Sequence, residues 1–423
     1  MTGAGGGAGI RRLAAACAVA FGVAAAGGLP FPDAAAATAA SGAGEAAASR
    51  QSVPDAHVSP ARDGADQADA LQRALDALRP GQRLVFAPGR YVVGRSLVVR
   101  QPRVVLSGYG ATLIATDDQD QVIEMRGDGT TIAGFTLVGT GTTRLSTPEA
   151  TKLEVTGRDV QVLDNTIDGG SCGGIFVFGG TNVAIVGNEV RSTLADAIHI
   201  THGSRNVLVR GNVVRGVGDD MIAVVSYDNE PELTRNVLIT GNVLEGNYWG
   251  RGITVVGGAD VTIANNIVRN VQVSAGVLVA QEDSNHTAGS SGVLVEGNVI
   301  ENIQTATDRT DPRPLTGQAA IDISTWSGTV TRVAVIGNRV SNARFGGIRL
   351  WGNVSAVRLA DNRLSGIGGM PVQIGGARDC DGAACAKAAT QLSAADAVGV
   401  DATQLPRVRE SLRQLRGAQR GID

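Results

Sequence analysis

Apolar and polar residues alternate in short runs through most of this chain, and one recurring phrase carries the alternation. It reads V-x-I-x-G-N-x-V, with G-I-x-V following about ten residues later. Its asparagine is Asn165, Asn188, Asn212, Asn242, Asn266, Asn298, Asn338 and Asn362, at successive gaps of 23, 24, 30, 24, 32, 40 and 24. A degenerate copy, T-I-A-G-F-T-L, surrounds Phe135. A near-fixed period with strand-like alternation predicts stacked coils, each one supersecondary unit. Each unit is expected to hold two short strands rich in Val and Ile. A hairpin array would need two-residue type I′ or II′ loops, which the chain lacks. The expected fold is therefore all-β: a right-handed parallel β-helix solenoid, with the longer gaps marking loops inserted into coils. The asparagines are expected to stack at one corner and hydrogen-bond from coil to coil.

The ends read differently. Residues 1–40 have the form of an export signal, with Arg11 and Arg12 before an Ala-rich apolar stretch, and with Ala37 or Ala39 as cleavage ends. Alanine is weakly hydrophobic, which favours cleavage over a retained anchor. The expected destination is secreted or periplasmic, by Sec or Tat export. Residues 41–65 lack periodicity and read as a linker. Ala68, Leu71, Leu75 and Leu78 then recur at helical spacing, a capping helix for the open N-terminal end of the solenoid. Coils are expected over 66–376, and 377–423 as a helical tail or cap.

Composition narrows the function. The 423 residues carry a formal charge of −3, which argues against a nucleic-acid partner. Lys152 and Lys387 are the only lysines, so lysine is nearly removed from catalysis. In an oxidising compartment Cys380 and Cys385 are spaced for a disulfide, and Cys172 reads as a small buried filler at a coil corner.

Aligning coils on the inward residue of the G-I-x-V strand gives Ile175, Ile198, Ile222, Ile253, Val277, Ile321, Ile348 and Val372. Two places earlier the column reads Gly173, Asp196, Asp220, Arg251, Ala275. Neighbouring coils lie ~4.8 Å apart. Asp196, Asp220 and Arg251 should therefore form a short charged column, with Asp219 beside it and His199 near Asp196. Crowded carboxylates do not all ionise freely, and one is pushed toward a proton donor beside a carboxylate base. Glycoside hydrolysis needs that pair. Long loops at 226–232, 281–291 and 303–318 could wall a cleft.

Two resemblances follow from these residues. A-L-Q-R-A-L-D-A-L-R-P-G-Q-R-L-V-F-A-P-G-R-Y resembles the opening segment of pectate-lyase-like β-helix proteins. L-A-D-A-I-H-I, G-D-D-M-I-A-V-V-S, G-R-G-I-T-V and A-G-V-L-V, over about 194–280, resemble the spacing of polygalacturonases. The resemblance puts Asp196 on that family's N-T-D aspartate and Asp219 and Asp220 on its D-D pair. It implies a general acid and water-activating carboxylates, with inversion; the predicted carboxylate spacing lies nearer the retaining value, so stereochemistry stays open. The chain departs from the family at Leu194–Ala195, at Arg251 where the family has histidine, and at Leu278 and Ala280 where it has a substrate-binding Arg and Lys.

The expectation is a polysaccharide hydrolase without cofactor, in which Asp220 is the acid and Asp196 and Asp219 activate water. Substrate contacts are expected from Arg251, His199, His202, Phe176, Tyr227, Trp249, Asp322 and Arg349. One alternative is a uronate lyase or epimerase with Ca²⁺ on the same aspartates and Arg251, His199 or His202 as base. Another is a non-catalytic carbohydrate-binding or surface scaffold protein.

Overall fold

A computed structural model describes residues 53–307 and 315–375. The export segment, the Cys380–Cys385 pair and the C-terminal tail lie outside the described residues.

The described residues build three parallel sheets of 12, 11 and 11 strands, and successive strands of a coil fall in different sheets. Each full coil is a right-handed turn of the solenoid. Each holds three strands rather than the expected two. In one coil these are Thr181–Val186, Glu189–Arg191 and Ile198–Thr201. The phrase V-x-I-x-G-N-x-V spans the first two. It breaks at Gly187, whose φ of 70° turns the chain, and at Asn188, whose side chain points inward and is buried.

The predicted register holds along the third sheet. Ile198 pairs with Ile175 and Ile222, and the column continues through Ile253, Val277, Ile321, Ile348 and Val372. From Ile175 to Ile348 these residues are buried in one continuous core. Burying each is worth about 1.5–3 kcal/mol, which is why period-2 alternation fixes the register.

The asparagine corner forms as expected. Asn188 Nδ2 donates to Asn212 Oδ1 at 3.0 Å and Asn212 Nδ2 to Asn242 Oδ1 at 3.0 Å, and the same bond repeats from Asn165 to Asn362. Each Oδ1 also accepts the backbone N–H of the preceding asparagine, as Asn242 Oδ1 does from Asn212 at 2.9 Å. Each buried amide is thereby satisfied.

At the N-terminal end the helix Ala68–Asp76 buries Ala68, Leu71 and Leu75 against the strand Leu97–Val99. The linker reading of 41–65 needs correction, because Ala56–Val58 already pairs with Arg83–Phe86. Three residues are too few to show a period. The longer gaps are indeed insertions: the chain between Val225 and Thr234, and between Gln281 and Ser290, lies outside the ladders apart from a single bridge. These loops cover the outward face of the third sheet. Ala223, Thr254 and Leu278, which follow the inward column by one place and so point outward, are at most 1% exposed.

Candidate active site

The acids sit where the chain enters the third sheet, just before the strands Ile198–Thr201 and Ile222–Val225. Because the turn repeats from coil to coil, Asp196, Asp219 and Asp220 converge: one oxygen of each lies within 4.8 Å of the others. Asp196 Oδ2 meets His199 Nδ1 at 2.6 Å, and its Oδ1 accepts the Asp220 N–H at 2.9 Å. Asp220 Oδ1 accepts the Arg251 N–H at 2.6 Å, while the guanidinium lies 3.7 Å from Oδ2. The three coils are therefore stitched together through the acids themselves.

Loops supply charges that no periodicity announces. Arg144 pairs with Asp219 at 2.6 Å and lies 5.5 Å from the centroid of the Trp249 ring. Glu282 pairs with Arg251, and Asn285 Nδ2 donates to its other oxygen at 2.6 Å. Gly250 lies so close to Asp219 that a Cβ there would meet Asp219 Oδ1 at 2.3 Å. The bend of Tyr248–Trp249–Gly250 therefore needs a glycine next to the acids.

These environments separate the three carboxyls. Burial pushes Asp220 up to about 8; Arg251 opposes this, while Asp219 and Asp196 add to it. Burial also raises Asp219, helped by the charge of Asp196 and opposed by Arg144 and Arg251. Burial acts the same way on Asp196, but the hydrogen bond and charge of His199, with Arg144, outweigh it and hold Asp196 below its ordinary value. Arg251 stays charged although buried, because Asp220 and Glu282 outweigh its desolvation.

The remaining expected residues divide into two groups. Phe176 lies against the His199 ring, with centroids 4.7 Å apart, and Trp249 is half-exposed beside Arg144. His202 stacks on Phe178 at 4.3 Å with Glu230 3.7 Å away. One Glu230 oxygen is buried without a hydrogen-bond partner, and burial raises its pKa. Tyr227 bridges to Thr287 and covers the outer apolar cluster of Ala223, Val225 and Leu278. Asp322 is fully buried, held by Arg349 at 2.7 Å and by the Ala319 N–H at 2.8 Å. The pair lies in coils that do not carry the acids, with Asp322 closed off and the Arg349 side chain 22% exposed. Leu278 and Ala280 are likewise buried under the loops.

The chain matches the model of the right-handed β-helix region over residues 147–238 and 232–364. It belongs to that family. No curated protein matches it. Among solved structures it is similar to the catalytic domain of a GH87 alpha-1,3-glucanase in complex with tetrasaccharides (TM-score 0.60, 14% identity, 76% of this chain and 69% of that one). The tetrasaccharide complexes are of variants with one or the other of two consecutive aspartates changed to alanine. It is also similar to the A-module of a mannuronan C-5 epimerase from Azotobacter vinelandii (TM-score 0.52, 18% identity, 74% and 95%). A third is the Dettilon tailspike protein (TM-score 0.54, 15% identity, 75% and 68%). At these identities the likeness is one of fold.

Proposed function

We propose that the protein is an exported, secreted or periplasmic polysaccharide hydrolase. The observation that carries this reading is the convergence of three carboxyls, with oxygens within 4.8 Å of one another, in unlike surroundings: burial raises Asp220 to about 8, while His199 and Arg144 outweigh burial at Asp196 and hold it low. Such a pair supplies an acid and a base in one site. Asp220 gives its proton to the glycosidic oxygen as the C–O bond breaks. Asp196, with Asp219 beside it, takes a proton from the water whose oxygen bonds to the anomeric carbon. Arg251 and His199 orient the sugar, and Trp249 offers it a ring face. The glucanase, solved with oligosaccharide after replacement of either of two consecutive aspartates, supports a role for the Asp219–Asp220 pair.

A second reading is a uronate lyase or epimerase with Ca²⁺ on the three aspartates, favoured by the epimerase of similar fold. The donors fit the ion in part. The three carboxylates each bring one oxygen within 4.8 Å of the others, but His199, Arg144 and Arg251 already balance their charge, and the three alone are too few. Ca²⁺ asks for six to eight oxygens. The two readings separate on a glycan panel. Hydrolysis gives new reducing ends with no ultraviolet-absorbing product and persists in chelator. An unsaturated product, or a uronate inverted at C5 with the chain intact, lost in chelator and restored by Ca²⁺ would move the aspartates to metal binding. No cleavage and no change at C5, with the glycan merely bound, would leave a binding protein.

A further inference from the structure

The acid cluster is walled on both sides along the solenoid axis. In the coils beyond it, Thr254 and Leu278 point outward yet have no exposed surface. Two loops lie over them and bond to each other: the Asp228 N–H donates to the His286 carbonyl at 2.8 Å, and the Ala288 N–H to the Ser226 carbonyl at 2.9 Å. Arg251, Glu282 and Asn285 close the seam between these loops and the acids. On the other side Leu145 packs on Cys172, Phe176 and Ala195 and covers the preceding coil. A polymer lying lengthwise through the site would have to displace one wall or the other. The open surface lies sideways. Tyr248 and Trp249 are 49% and 50% exposed, and the Asp219 side chain, linked to Trp249 through Arg144, is 20% exposed.

We infer that the site is a pocket for the end of a glycan chain, so that the enzyme works from chain ends and not within the polymer. Its chemistry rests on the hydrolytic reading; the pocket itself does not. Trp249, whose ring packs on Arg144, and Tyr248 next to it stand half-exposed, where the sugars following the end residue would lie. The Arg251–Glu282 wall sets how far the end can enter.

Product size over the first few per cent of turnover tests this on a soluble linear glycan. One small saccharide should accumulate from the earliest samples while viscosity holds. A ladder of mid-sized oligosaccharides with an early fall in viscosity would overturn it. Opening the seam with Glu282→Ala and Asn285→Ala, checked for an unchanged melt, should bring in interior cleavage that the wild type lacks. A product profile identical to wild type would remove that wall from the account. An unsaturated product would overturn hydrolysis alone, since product size still reports end or interior attack. Binding gives an arm that needs no turnover. The Asp220→Asn protein should hold a linear oligosaccharide at least tenfold more tightly than a cyclic one of the same linkage, and equal affinity would overturn the pocket.

Discussion

Three aspartates of one residue type become three different groups because their neighbours differ. Asp196 has His199, Asp219 has Arg144, and Asp220 shares Arg251 with Glu282. The pH dependence follows from the signs. Asp220 must be protonated to act as acid, so kcat/KM should fall as pH rises through about 8. Asp196 must be ionised, and its pKa is lowered, so activity should persist to pH values below the ordinary carboxylate range. A pH–rate profile checks both limbs, and Glu282→Gln should lower the alkaline limb, because Arg251 is then left to stabilise charge on Asp220 alone. At this scale the acids were legible in the sequence, since Asp196 and Asp220 occupy the same place in a repeated turn and Asp219 precedes Asp220. Arg144, Glu282 and Glu230 were not. They come from insertions that obey no period, and only loop length flagged the segments holding Glu230 and Glu282.

Strands and corners were legible wherever a repeat imposed them. The asparagine corner and the inward column emerge as read, because a coil that broke either would leave buried polar groups unpaired or turn its apolar face outward. The middle strand of each coil was hidden, since it starts directly after the Gly-Asn corner, as Glu189–Arg191 follows Asn188, and reads as the end of the phrase. Two further ladders also escaped notice. Asn182, Asn206 and Asn236 form one, and Asn270, Asn302 and Asn342 the other; all six adopt the left-handed conformation that asparagine tolerates. The inward ladder gives the test at this scale. Asn242→Ala removes the partners of the Asn212 N–H and side-chain amide and of the Val209 carbonyl. Each buried group left unpaired costs about 1–3 kcal/mol, so thermal unfolding should move down by several degrees while the far-ultraviolet spectrum is kept. An unchanged melt would mean the corner is solvated rather than buried.

The solenoid is one continuous apolar stack, in which each coil is held by its two neighbours. Ile253 sits in it directly behind the site, paired with Ile222 and Val277 and without exposed surface. Ile253→Asp places an unpaired charge in that stack and should abolish folding or split the melt into two steps. A variant that melts like wild type would refute the register, and the charged column with it. The stack fixes where neighbouring coils place Asp196, Asp219 and Asp220, and the proposed hydrolysis stands on Asp220 among them. The most direct measurement is kcat of Asp220→Asn on the glycan the wild type cleaves, with circular dichroism as the fold control. A loss of ~10²–10⁴ with the spectrum and melt retained is the predicted result. Wild-type turnover by the folded variant would contradict it.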